Sequence, residues 1–146
     1  MLVLPDTGEG AGMSYRVDYR PAYAFATIQL TAEQSIKTES GAMVSMSANL
    51  ELASKMDGGV WSAVKRSIGG RSDFVSTYTA RGGPGELTLA PGTPGDIVAL
   101  RLNNETYNIA ASCYLASDPA LNVDTGWGGG KAFFASNSSS YSKSRA

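Results

Sequence analysis

Asp118 and Asp124 stand on either side of a short alternating stretch, Leu121 and Val123. Two carboxylates can divide acid and base roles when a fold brings them into one pocket. Asp118 also precedes Pro119, which makes it a turn residue, and Asp124 reads as a strand end. Cys113 offers a thiol, but its neighbours Ala110, Ala111 and Leu115 are apolar and the chain has no histidine to activate it. The expectation is a small core residue. With histidine absent, a Ser-His-Asp triad, a Cys-His dyad and a histidine-based zinc site are ruled out for this chain. Glu39, Asp57, Asp73 and Asp96 sit at turns without the spacing of a calcium loop. No catalytic residue, metal or cofactor is therefore assigned.

Three glycine runs, Gly69-Gly70, Gly82-Gly83-Pro84-Gly85 and Gly128-Gly129-Gly130, lack phosphate-loop spacing and read as turns. The remaining candidate is a basic aromatic cluster: Trp61, Lys65 and Arg66, followed by Arg71. Trp61, Val64 and Ile68 fall at helical spacing over residues 60–68, with Lys65 and Arg66 off the stripe. Such a helix either covers an open face of a sheet or forms a partner-binding or weak membrane-surface element. Trp61, Lys65, Arg66 and Arg71 are the candidate partner-binding surface.

These residues need elements to hold them, and the elements read as strands. Tyr15, Val17 and Tyr19 alternate with Arg16, Asp18 and Arg20, the period of a half-buried strand. Further strands are expected at 25–30, 35–39, 42–46, around Leu50 and Leu52, at 74–79, around Leu87 and Leu89, around Leu121 and Val123, and at 131–135. The apolar run 97–102 reads as a central strand, and 107–115 as a long strand carrying Cys113. Ile97, Val98, Leu100, Ile109 and Cys113 are expected in the core, so Leu100→Asp is expected to unfold the chain. About ten strands with frequent turns and one short helix predict an all-β sandwich or small barrel.

The expected organisation is a flexible glycine-rich lead over 1–12, one β domain over 13–135 and a disordered serine-rich tail over 136–146. Met1 and Met13 are both candidate natural starts. Hydrophobic residues are 42% of the 146, enough for a core without disulfides, while charged residues are 17% and the net charge is -1. That balance gives no drive toward nucleic-acid phosphates or anionic lipid. One cysteine, no membrane-length apolar run and a poor signal peptide give a cytoplasmic expectation.

Several stretches in order carry a family resemblance: Tyr19-Arg20-Pro21, Glu39-Ser40-Gly41-Ala42-Met43-Val44-Ser45-Met46, Gly69-Gly70 before Phe74, Thr77-Tyr78-Thr79-Ala80, Gly85-Glu86-Leu87-Thr88-Leu89-Ala90-Pro91, Pro94-Gly95-Asp96-Ile97, Tyr114-Leu115-Ala116-Ser117, and Trp127-Gly128-Gly129-Gly130-Lys131 with Phe133-Phe134. Over residues 13 to about 134 the chain resembles the altered-inheritance-of-mitochondria family. The resemblance implies a double-stranded β-helix similar to the tryptophan RNA-binding attenuator protein. Its eukaryotic members are mitochondrial and linked to inner-membrane organisation, and its prokaryotic members have no established reaction. Members continue with further strands beyond the Phe133-Phe134 motif, where this sequence turns serine-rich. A shortened member, a frameshifted product and a fragment are the readings left open.

Three functions follow as expectations. The first is a non-enzymatic β-helix module that forms a homo-oligomer or binds a protein partner. The second is a module for RNA or a small ligand, by analogy of fold alone. The third is an enzyme using carboxylates only, which needs two of them in one pocket.

Overall fold

The computed structural model describes residues 1–53, 75–124 and 138–143. Among these residues fourteen strands run in chain order: β1 (Leu2–Val3), β2 (Thr7–Gly10), β3 (Met13–Asp18), β4 (Phe25–Leu30), β5 (Ser35–Glu39), β6 (Met43–Met46), β7 (Leu50–Ala53), β8 (Val75–Ala80), β9 (Gly85–Leu89), β10 (Leu100–Arg101), β11 (Thr106–Ala110), β12 (Ala116–Ser117), β13 (Leu121–Asp124) and β14 (Ser138–Lys143). The alternation read from the sequence decides their faces. On β4, Ala26, Ile28 and Leu30 are buried; on β9, Leu87 and Leu89. Their pairing places these residues side by side, Ala26 with Leu89 and Ile28 with Leu87.

Two sheets enclose the core, a five-stranded one in the order β2-β3-β4-β9-β6 and a four-stranded one in the order β12-β5-β8-β7. Ile36, Leu50, Tyr78 and Ala80 of the second pack against Ala26, Ile28, Leu30, Leu87 and Leu89 of the first. Full burial of each large side chain contributes roughly 1.5–3 kcal/mol, which makes this cluster the main source of stability. The chain changes sheet between β4 and β5, β5 and β6, β6 and β7, and β8 and β9. The pairs β4–β5, β6–β7 and β8–β9 are thus bent ribbons, each with one arm per sheet, and β8–β9 lies between the other two. The bends are knitted by backbone bonds: Glu33 donates to Ala80, Ala80 to Gln34, and Arg81 to Asn49. The Asn49 side-chain amide donates to the carbonyls of Gly83 and Pro84, both at 3.1 Å.

Smaller sheets complete the described structure, β1 with β10, and β11-β14-β13. They carry most of the corrections to the sequence reading. Residues 1–12 are not a loose lead. β2 pairs with β3, β1 pairs with β10, and Val17 donates to the Asp6 carbonyl. The glycine at position 8 serves a close approach: a Cβ there would lie 2.5 Å from Tyr15 Cε1. The serine-rich tail is not disordered throughout, because Ser138–Lys143 forms β14 between β11 and β13. Backbone groups make those ladders, so an apolar pattern is not needed to form them.

The run 97–102 is not a central strand. Only Leu100–Arg101 pairs, and it pairs with β1. Val98 is 51% and Leu100 38% exposed, so neither belongs to the core, while Ile97 packs half-buried against it. Four apolar residues in succession, Ile97 to Leu100, have no polar face to say which side points out. The strand at 107–115 ends at Ala110, and Ala111–Cys113 forms a 3-10 turn that leaves Cys113 exposed. From Ala110 to Cys113 the sequence holds only small residues, which lack the β-branched bulk that favours strands. The helix expected at 60–68 and the strand expected at 131–135 lie outside the described residues.

Candidate functional site

β6 and β7 are successive strands, and each is the terminal strand of its sheet among the described residues. Met43 is opposite Leu89 and Met46 opposite Leu87, so both methionines carry the inward register of their partners. Ser45 is opposite Thr88 on the outer face, and their hydroxyls lie 2.5 Å apart. The register shifts between Met43 and Ser45, which makes Val44 the extra residue of a bulge. On β7, Leu50 is opposite Ala80 and Leu52 opposite Tyr78, again facing the other sheet. Leu50 is buried, yet Leu52, Met43, Met46 and Val44 are 46%, 37%, 41% and 54% exposed. Three side chains with core-facing register and one on the bulge therefore meet solvent. At this rim the described strands leave the inter-sheet space open.

The other built feature is an arginine clamp. Arg20 forks onto Asp96, with Nε to Oδ1 at 2.7 Å and Nη2 to Oδ2 at 2.9 Å, and its Nη1 reaches Asp6 Oδ1 at 2.5 Å. Ala24 donates to the Gly95 carbonyl beside it at 2.9 Å. Two separate stretches of the family resemblance, Tyr19-Arg20-Pro21 and Pro94-Gly95-Asp96, are thereby brought into contact. The Arg20 guanidinium, helped by the Ile97 amide, holds the Asp96 carboxyl below its ordinary value. An aspartate with a depressed value stabilises the fold above the unfolded value, ordinarily 3.8, and that contribution is lost as pH falls through the folded value. Asp96→Asn is thus expected to flatten the loss of stability below about pH 4, read as melting temperature against pH.

A second arginine, Arg81, bridges Glu33 and Glu51 at 3.0 Å each. The Gly82 amide and then Arg81 hold Glu33 below its ordinary value. Burial alone pushes Glu39 up. Among the described residues no group of three or more histidine, cysteine or acidic side chains gathers to hold a metal. Asp118 accepts from the Ala120 amide at 2.8 Å, the turn role expected of it, and Asp124 ends β13. Trp61, Lys65, Arg66 and Arg71 lie outside the described residues. The sequence reading passed over Met43, Val44, Met46 and Leu52 as ordinary strand residues. Two methionines on one short strand were the available signal, since methionine is favoured at adaptable surfaces.

Among the described residues no helix is long and apolar enough to cross a membrane. By structure, the chain is similar to protein SPYM3_0169 from Streptococcus pyogenes, solved by X-ray crystallography. The TM-score is 0.75 and the identity 25%, over 90% of this chain and 60% of that one. By sequence it is similar to the uncharacterized protein M6_Spy0233 of Streptococcus pyogenes serotype M6, at 33% identity over 113 residues. That match covers 73% of this chain, which spans 45% of the relative's length. The family model described as Mitochondrial biogenesis AIM24 matches residues 15–144, beyond the Phe133-Phe134 motif and through β14. With the bent ribbons, the joined motifs and this match together, the chain belongs to the mitochondrial biogenesis AIM24 family.

Proposed function

We propose that this domain acts by association rather than catalysis, through the rim formed by β6 and β7, and that a second copy of the chain is its partner. The observation that carries the reading is the set of core-facing side chains left in solvent at that rim: Met43 and Met46 from one sheet and Leu52 from the other. Apolar surface at a strand edge is a liability that proteins cover. A net charge of -1 sets little repulsion between copies. A stable interface needs roughly 800 Å² per partner, more than four side chains supply, so the contact extends from the rim onto neighbouring strands. Arg20 and Arg81 are each bound to two carboxylates, which also favours a protein partner over a phosphate backbone.

Light scattering over a dilution series tests this. The wild type is expected as an oligomer that dissociates on dilution. Met46→Glu is expected to be monomeric at every concentration with little change in melting temperature, because Met46 already meets solvent. A wild type that stays monomeric throughout defeats the proposal. So does a Met46→Glu variant that associates as well as the wild type.

A further inference from the structure

On the outer face of the five-stranded sheet, at the edge away from β6, we infer a binding site for a neutral sugar. The inference is independent of the association surface. The pairing places two polar rows across β2, β3 and β4. Thr7, Arg16 and Thr27 form one row, and Glu9, Ser14 and Gln29 the other. Rows two residues apart along a strand are separated by roughly 7 Å. All six side chains line one open depression. Its floor holds the decisive group. Thr27 is 7% exposed, and its hydroxyl has no hydrogen-bond partner among the described residues. Its neighbour in the row, Thr88, is equally buried but is bonded to Ser45. Facing the open depression, this hydroxyl is free of protein partners there and can both donate to and accept from a ligand.

The chemistry around Thr27 selects the class of ligand. Arg16 uses Nε on Asp18, at 2.7 Å, and keeps its other two nitrogens without a hydrogen bond among the described residues. Gln29 donates its amide to Glu86 at 2.5 Å and keeps its carbonyl oxygen as an acceptor. Glu9 has no ion pair among the described residues, and the hydroxyls of Thr7 and Ser14 have no hydrogen bond there. The depression therefore offers donors and acceptors in alternation, with one positive and one negative charge. An anion such as phosphate is repelled by Glu9, and a metal cation by Arg16. A ligand whose groups each donate and accept satisfies both, which is the property of vicinal hydroxyls. Because the depression is open, only one side of the ligand is covered, and the affinity of a single sugar is on the order of millimolar.

The test is a titration of isotope-labelled protein, followed by NMR, with glucose, galactose, mannose, N-acetylglucosamine and short oligomers of each. Inorganic phosphate and glycine serve as charged controls. The expected result is saturable shifts confined to β2, β3 and β4 with at least one sugar and with neither control. Thr27→Val keeps the shape and removes the hydroxyl. It is expected to weaken binding about tenfold while matching or exceeding wild-type melting temperature. Glu9→Gln, at an exposed position, gives a second variant whose fold is not in question and is expected to weaken binding as well. No shifts with any sugar, shifts mapping elsewhere, or equal binding by Thr27→Val overturns the proposal. Stronger shifts with phosphate or glycine than with any sugar overturn it too.

Discussion

Leu87→Asp is expected to abolish folding. Leu87 is fully buried, stands beside Ile28 on β4 and Met46 on β6, and belongs to the cluster that joins the two sheets. An unpaired carboxylate there costs several kcal/mol or more, against a total stability of about 5–15 kcal/mol for a domain. Leu87→Ala, which only opens a cavity, is expected to cost about 2–5 kcal/mol and remain folded. Leu100→Asp is the control. At 38% exposed on a two-residue strand it is expected to cost under about 1 kcal/mol. Circular dichroism with urea titration separates the three. A folded Leu87→Asp, or an unfolded Leu100→Asp, places the core in the wrong sheet.

Gly85→Ala is expected to destabilise by about 1–3 kcal/mol, although it adds a single methyl. Gly85 opens β9 where the chain returns to the five-stranded sheet, and it is buried opposite Leu30. A Cβ there would lie 2.8 Å from Leu50 Cδ2 and 3.4 Å from the Ala80 Cβ. Leu50 is itself 5% exposed and has little room to withdraw. The mechanism predicts a rescue. Leu50→Ala alone leaves a cavity, and adding Gly85→Ala to it is expected to cost much less than adding it to wild type. A double-mutant cycle by urea unfolding measures that coupling. Additive losses would mean that backbone conformation, not the clash with Leu50, makes glycine necessary.

The sandwich was legible where one face of each strand meets water. In β4, Gln29 interrupts Ile28 and Leu30, and the alternation shows which side is buried. The all-β class, the strands from β3 to β9 and the turn at Asp118 follow from such patterns. The sequence misled where pattern and environment part. Val98 and Leu100 look central because they are apolar, yet Val98 lies outside any strand, Leu100 sits on a two-residue strand paired with β1, and both meet solvent. Cys113 looks buried among alanines, but small side chains cannot fill a core layer, and the backbone turns there. Ser138–Lys143 carries no apolar signal, and only its partners make it a strand. Neither site was visible in advance. The rim at β6 and β7 depends on which strands end their sheets. The Thr27 depression depends on register across β2, β3 and β4, which residue types on one strand do not encode.

The central place of the β8–β9 ribbon has a consequence for the timing of synthesis. Among the described residues, β9 alone bonds β4 to β6, and β8 alone bonds β5 to β7. When Ala53 leaves the ribosome, two half-built ribbons exist with no hydrogen bond between them, and Ile28, Leu30, Ile36 and Leu50 have nothing to pack against across the gap. Their common partner ends at Leu89. At bacterial and eukaryotic translation speeds that is a wait of roughly two to seven seconds. For that interval the nascent chain is an adhesive intermediate whose fate belongs to holdase chaperones as much as to its own sequence.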